Sequence, residues 1–463
     1  INKGVVLPFE TRHDGWVRSH NNWGQVCHGG LTAGALAVME DKPGLAAKTV
    51  HNALHNVTNA MSAFAPKGSY PEGPGYWSYG TTYNVLLIDA LESTLGTDFG
   101  LSKAPGFSQT GEYLSLVTGP SGRTFNYADG GAGRGPEPAR WWFAARYDRP
   151  DWILRERDIF ADAMKRYSNN RVTGGRFLSM SLFWMEDMPR DVEIEMPLNW
   201  YSKGDVPITL HRSSWTDPNA VFLGLKAGSP SSNHGQMDTG SFVLDADGVR
   251  WAKDLGAEGY HGIESRGMNL WDRSQDSDRW TIFRQQNHGH NTLVINDKLQ
   301  VAKNRGAITR FSDEKDSPFS IVDLSAVYEG QAKSVKRGVM LLPSNEVVIR
   351  DEISGLKPNG TVRWGMITPA EVGRRKGKTI VLKQKGETLR LVNRTTGDSV
   401  DWSIINTEKP RNEWDSPNRG TRMVALKATV PASGKLVLNV LLTPGSCEDS
   451  VMDSWQPRAL KKW

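Results

Sequence analysis

The hydrophobic period of this chain changes once, near residue 193, and that change limits the fold more than any single motif does. From about residue 24 to 190, apolar residues recur at three- and four-residue steps in the segments 25–39, 46–64, 83–95, 138–147 and 150–167, separated by turns rich in Gly, Pro and Asp. That spacing predicts short antiparallel helices. After about residue 193 come short alternating runs bounded by turns, among them VFLGLKAG, NTLVIND, TIVLKQKGETLRLVN and LVLNVLLTPG. A period of two over such a length predicts a large antiparallel β-sandwich. The expected fold is therefore α+β in two domains, helices over 1–192 and the β-sandwich over 193–463, with the boundary within 188–200. The clear helices are few for a closed helical ring, so upstream helices are expected to be missing. The opening on Ile1, with no initiator Met and no charged-then-apolar leader, agrees with a mature or trimmed fragment.

Length also asks for more than one core, since 463 residues should divide into two or three packed units. No apolar run is long enough to span a membrane, and no membrane span is expected. The net charge of +5 is mild, and the basic residues are scattered apart from short clusters such as RRKGK at 374–378. That balance fits a polyanionic partner without requiring one, and no nucleic-acid partner is expected. Two distant cysteines, Cys27 and Cys447, exclude a disulfide framework and a cysteine metal site. Of the 17 tryptophans, Trp16, Trp23, Trp77, Trp141, Trp142, Trp200 and Trp215 stand in polar, glycine-containing surroundings. Stacking on sugar rings is one explanation; a large aromatic core is the other, and composition favours the core. Arg134, Arg140, Lys226 and Arg284 could contact sulfates or carboxylates, with solvated surface charge the simpler reading of each.

Three stretches combine polar residues and glycine in ways that packing does not require. In SHNNWGQVCHGG, residues 19–30, His20, Asn21 and Asn22 stand immediately before a helix, where one Asn would suffice as a cap and Trp23 could staple the start. In SYPEGPGYWSYG, residues 69–80, Pro71, Gly73, Pro74 and Gly75 predict a turn that leaves Tyr76 and Tyr79 near the first turn of the next helix, on one face. In SSNHGQMDTGSFVLDADGVRWAKDLG, residues 231–256, His234 precedes a strand, Asp238 follows, and Asp254 closes a hairpin whose turn is Asp245-Ala246-Asp247-Gly248. RQQNHGHNTLVIND then places His288 and His290 before another strand. Histidines and aspartates on adjacent hairpins are the residue types of a metal site, although a lone histidine ahead of a strand is more often structural.

Taken in order, NNW, EGPGYWSYG, HGQMDTGSFVLDADGVRWAKDLG and HNTLVIND resemble the heparinase II/III-like polysaccharide lyases over about residues 16 to 350. The resemblance implies an incomplete α/α toroid followed by an antiparallel β-sandwich. It implies an acidic polysaccharide or oligosaccharide substrate (heparin or heparan sulfate, alginate, or a plant or algal glucuronate polymer) and a periplasmic or secreted location, and it leaves a homodimer open. Such enzymes cleave by β-elimination, in which the C5 proton of a uronic acid leaves once the neighbouring carboxylate is neutralised and the C4 oxygen departs with a proton. By resemblance, Tyr76 and His234 share the base and acid roles, and Asn22, with His20 beside it, serves the carboxylate. Asn21, Trp23, Glu72, Trp77, Tyr79 and His288 are the expected substrate contacts. No cofactor is required for the chemistry. A structural zinc held in many relatives maps onto Gln236, Asp254 and His290, and glutamine weakens that expectation, leaving another divalent ion as the alternative. Two rival readings stand beside the lyase. One is a glycoside hydrolase, for which Glu72 and Asp89 or Asp129 could be nominated, though no pairing stands out; the other is a glycan-binding protein without catalysis.

Overall fold

A computed structural model describes residues 15–168, 175–373, 375–396, 400–445 and 456–463; Ile1, Arg374 and Cys447 lie outside them. The chain divides into two compact units, Ile1–Leu116 with Gly133–Met196 and Val117–Ala132 with Pro197–Trp463. The main crossing therefore falls at 196/197, beside the expected 192/193. The segment Val117–Ala132 sits with the β unit because its partners are there. Phe125 lies against Gly224, where a Cβ would come within 2.6 Å of the ring, and Arg250 donates to the carbonyls of Thr124 and Arg123 at 3.0 and 2.9 Å.

The first unit is helical, as its period predicts. Its helices are α1 (Asn22–Leu36), α2 (Pro43–Met61), α3 (Gly73–Leu95), α4 (Thr110–Leu116), α5 (Pro138–Tyr147), α6 (Leu154–Ser168) and α7 (Ser181–Trp184). Asn21 caps α1, its side chain accepting from the Trp23 N–H at 3.0 Å. Proline stands at the start of α2, α3 and α5, where its missing N–H would have had no helical partner. This is why α3 begins at Gly73, ahead of the apolar repeat that predicts it: Pro74 and Gly75 lie inside the first turn rather than in a turn before it. At seven residues, α4 is too short to show a period. Helices α1 and α3 approach closely at Gly29, where an added Cβ would lie 2.5 Å from the Tyr83 carbonyl oxygen.

The second unit contains three antiparallel sheets. The first takes its five strands in chain order, Asn199–Ser202, Ile208–Arg212, Phe222–Lys226, Phe242–Ala246 and Val249–Ala252. Ala246 pairs with Val249, so the turn of the last hairpin is Asp247-Gly248, with φ of 52° and 68°. Two successive left-handed residues make the tight turn whose twist suits a hairpin. An eight-stranded sheet runs from Glu371–Val372 at one edge to Ala307–Ser312 at the other, and a four-stranded sheet is built from Val400–Asn406, Arg422–Thr429, Thr361–Thr368 and Leu293–Ile295. One core joins the three: Leu223, Phe242 and Trp251 from the first, Val339, Ile349 and Val440 from the second, Trp364, Leu426 and Leu293 from the third. This is the β-sandwich that the period of two predicts.

Candidate functional site

In the β unit the polar centre is Asp129. Its Oδ1 accepts from Gln236 Nε2 at 2.8 Å and Gln285 Nε2 at 3.1 Å, and Arg279 Nη2 reaches Oδ1 and Oδ2 at 3.0 and 2.9 Å. The Tyr260 hydroxyl donates to Oδ2 at 3.1 Å, and His234 Nδ1 lies 3.2 Å from the same oxygen. Burial would raise this carboxyl, but the Arg279 charge and the hydrogen bonds from His234 and Gln236 outweigh it and hold the group at about 2. An ionised carboxylate only accepts, so a proton on His234 Nδ1 points at Asp129 and fixes the orientation of the ring. Arg279 also donates from Nε and Nη2 to the Gly235 carbonyl, at 3.0 and 2.7 Å. One guanidinium thus fixes both the carboxylate that orients His234 and the backbone that follows it. His234 itself has φ of 55°, a left-handed conformation costly for a residue with a Cβ, and these bonds hold it there. Trp271, 47% exposed, stands edge-on to the His234 ring with centroids 5.5 Å apart.

The helical unit gathers its candidates at the start of α1 and α3. Asn22 is buried, and its backbone N–H donates to Glu72 Oε2 at 2.9 Å while its Nδ2 lies 3.2 Å from both carboxylate oxygens. Beside them the Tyr70 hydroxyl donates to Gln25 Oε1 at 2.8 Å. Burial, then the Glu72 charge, pushes that hydroxyl well above its ordinary value, so Tyr70 stays protonated and is no base. Tyr76 is partly buried in the first turn of α3. His20 and Trp23 are exposed at the entry to α1. Tyr79 is partly buried with the Arg176 guanidinium 5.4 Å from its ring centre.

Two expected substrate contacts are corrected. Trp77 is fully buried, donates to Thr110 Oγ1 at 2.7 Å and packs between Tyr113 and Phe143, so it is core. Glu72 is buried, with its carboxylate given to Asn22; it positions that residue rather than meeting a ligand. Among the basic residues read as surface charge, Arg134 and Arg140 are buried against Glu156, and Lys226 against Asp238. Arg284 is partly buried and donates to Asn418 Oδ1 and the Ala257 carbonyl, both at 2.8 Å.

Each of the three expected metal ligands has hydrogen-bond partners within the fold. His290 Nδ1 and Asp254 Oδ2 pair at 2.9 Å, Asp254 Oδ1 accepts from the Gly256 N–H, and Gln236 gives its amide nitrogen to Asp129 and the Ala128 carbonyl. Gln236 Oε1 and His290 Nε2 are buried without a hydrogen-bond partner, but a neutral amide and an imidazole whose carboxylate neighbour binds the ring itself do not make the donor set that zinc requires. Among the described residues no three His, Cys, Asp or Glu side chains gather around a possible ion. His288 lies apart from the Asp129 cluster's hydrogen bonds and pairs through Nε2 with Asp297 at 2.9 Å.

Asp129, Tyr260, Gln285, Trp271 and Arg279 are the residues that sequence reasoning missed as parts of this site. Asp129 figures there only as a hydrolase carboxylate, whereas in the fold it is buried and bonded to Arg279, Gln236 and Gln285. Its neighbours lie more than a hundred residues away in sequence, and the glycine-rich NYADGG around it reads as a loop.

Residues 210–446 match a family model described as heparinase II/III-like, C-terminal. Among solved structures, the chain is similar to heparan sulfate lyase HepC from Pedobacter heparinus, with 15% identity and a TM-score of 0.60 over 90% of this chain and 59% of that one. It is similar also to a heparinase III, with 13% identity and a TM-score of 0.63 over 96% of this chain and 65% of that one. At such identities the likeness is one of fold. The chain spans less than two thirds of the length of either structure. No curated protein sequence matches it.

Proposed function

Since the chain belongs to the heparinase II/III-like family, we propose that it acts as a polysaccharide lyase on a uronic-acid-containing glycan, a heparin- or heparan sulfate-like glycosaminoglycan first and an alginate or glucuronate polymer second, in the periplasm or outside the cell. The observation that carries the reading is the His234 assembly: an imidazole held in one tautomer by a buried ionised carboxylate, with an exposed tryptophan at its side. β-Elimination needs such a group. The C5–H bond breaks, its electron pair forms the C4–C5 double bond, and the C4–O bond breaks as the departing oxygen takes up a proton. His234 accepts or relays a proton through its imidazole, and Asp129 stabilises the imidazolium form. Tyr76 is assigned the base that returns its proton to the leaving oxygen, and its phenolate would need positive charge or hydrogen bonds nearby to form. Asn22 and His20 are assigned to the uronate carboxylate, whose neutralisation makes the C5 proton acidic. Tyr76 belongs to the first unit and His234 to the second, and each takes its step on its own chemistry. No step is routed through a metal ion.

The test is ultraviolet absorbance of the conjugated unsaturated uronate, followed across heparan sulfate, heparin, alginate and glucuronan. Absorbance should rise with at least one polymer and be abolished in Tyr76→Phe and His234→Ala. Reducing ends released without absorbance would establish hydrolysis instead, and binding without any cleavage would make the protein a glycan-binding module.

A further inference from the structure

Across the four-stranded sheet, Val294, Arg363 and Lys427 are direct neighbours on adjacent strands, so Arg363 and Lys427 present like charges on one face. Like charges directly opposite one another destabilise a sheet unless something neutralises them. Here they stand at a cavity of about 480 Å³, lined also by His288, Asp297 and Arg411. Arg411 is exposed, its guanidinium seated 4.0 Å from the centre of the Phe283 ring. Against the three cations the cavity offers one carboxylate, Asp297, and it is already paired with His288 Nε2. Asp401, the next residue across from Lys427, is committed to Arg375. The guanidiniums also feel each other: burial, then the charge of Arg411, lowers Arg363 to about 10.

In two of the residues that line the cavity one polar atom, Arg363 Nε and His288 Nδ1, is buried with no hydrogen-bond partner. The other nitrogens of Arg363 donate to the carbonyls of His288 and Asn287 at 3.3 and 3.2 Å. With its Nε2 proton given to Asp297, neutral His288 offers an acceptor at Nδ1, while Arg363 offers a donor. A bare oxyanion answers only the donor. A sugar that carries an anionic group and hydroxyls answers both.

We propose that this face of the four-stranded sheet is a second glycan subsite, in which Arg363, Arg411 and Lys427 take a sulfate ester or carboxylate of an acidic oligosaccharide and His288 takes one of its hydroxyls. The assignment of the ligand as a glycan rests on the proposed function; the anion site itself does not. Arg411 and Lys427 are exposed, so their replacement leaves the core intact, and the test uses the double variant Arg411→Gln, Lys427→Gln. By calorimetry, a sulfated heparin-derived octasaccharide should bind this variant about tenfold more weakly than the unaltered protein. A control that removes two exposed charges elsewhere, Lys383→Gln with Lys435→Gln, should bind it within about twofold of the unaltered protein. Equal affinity in the double variant, or an equal loss in the control, overturns the subsite. Inorganic sulfate that binds the pocket as tightly as the octasaccharide overturns the glycan assignment and leaves a small-anion site. If no polymer is cleaved by Tyr76-bearing protein and the tenfold loss still appears, the catalytic reading falls and the subsite stands.

Discussion

Asp129 accepts from Arg279, Gln236, Gln285 and Tyr260 and pairs with His234, so one carboxylate carries both the folding of its surroundings and the orientation of an imidazole. The two duties separate by substitution. Asp129→Asn leaves the buried Arg279 without its counter-charge and should lower stability by about 3 kcal/mol or more, read from urea unfolding. Tyr260→Phe removes one donor and keeps the ion pair. It should cost no more than about 1.5 kcal/mol, and lower kcat about tenfold with KM little changed, because the imidazole loses the Tyr260 hydroxyl that lies 3.1 Å from its Nδ1. A Tyr260→Phe protein with unaltered kcat would mean that Asp129 needs no help in setting the ring. At this scale the sequence was legible where the signal is local. An asparagine cap within residues 20–22 and Tyr76 near the first turn of a helix follow from their neighbours, although which asparagine caps, Asn21, does not. Trp77 did not, because the polar and glycine neighbours in residues 69–80 hide that its face of α3 is turned into the core. Nor did the Asp129–Arg279 pair, since buried ion pairs are made by partners far apart in the chain.

Helices α1 and α3 matter because the first turn of each carries a candidate, Asn22 on one and Tyr76 on the other. Their closeness is set by glycine. A Cβ at Gly29 would meet the Tyr83 backbone, which cannot swing aside, whereas the neighbouring Gly30 is exposed and would meet only the Tyr83 ring edge at 3.4 Å. Gly29→Ala should therefore destabilise the helical unit by about 1–3 kcal/mol through overpacking. Gly30→Ala should be neutral or stabilising by up to about 1 kcal/mol, since alanine is the better helix former. A loss in Gly29→Ala without one in Gly30→Ala, read from denaturant titrations, would establish the contact; equal losses in both would refute it. The period of three and four revealed that these helices exist, and proline chemistry explains where α3 starts, yet which helices touch is written in single glycines that the period does not register.

For the chain as a whole, the change of period near residue 193 was enough to separate a helical unit from a β unit. The transfer of Val117–Ala132 to the second was not legible, because a glycine-rich segment between helices carries no period at all. The two units also bury different acids, which gives them different pH responses. In the helical unit, burial raises Glu112 and Glu137 to about 7, against an ordinary 4.5. An acid whose folded value is raised stabilises the fold fully below its unfolded value and loses that contribution as pH rises through the folded one. Each should weaken this unit between pH 4.5 and about 7, by on the order of 1 kcal/mol after solvent screening of these partly buried groups. Asp129 in the β unit has the opposite sign. Its value is depressed from 3.8 to about 2, so its stabilisation is present at neutral pH and lost only as pH falls through that range. Amide hydrogen exchange followed peptide by peptide from pH 5 to 8, with the intrinsic rate change removed, should show protection falling in α4 and α5 while the strands around Asp129 hold theirs. Glu112→Gln with Glu137→Gln should flatten the helical response and leave the β unit as it was; a slope that survives the double substitution would place its origin in other groups.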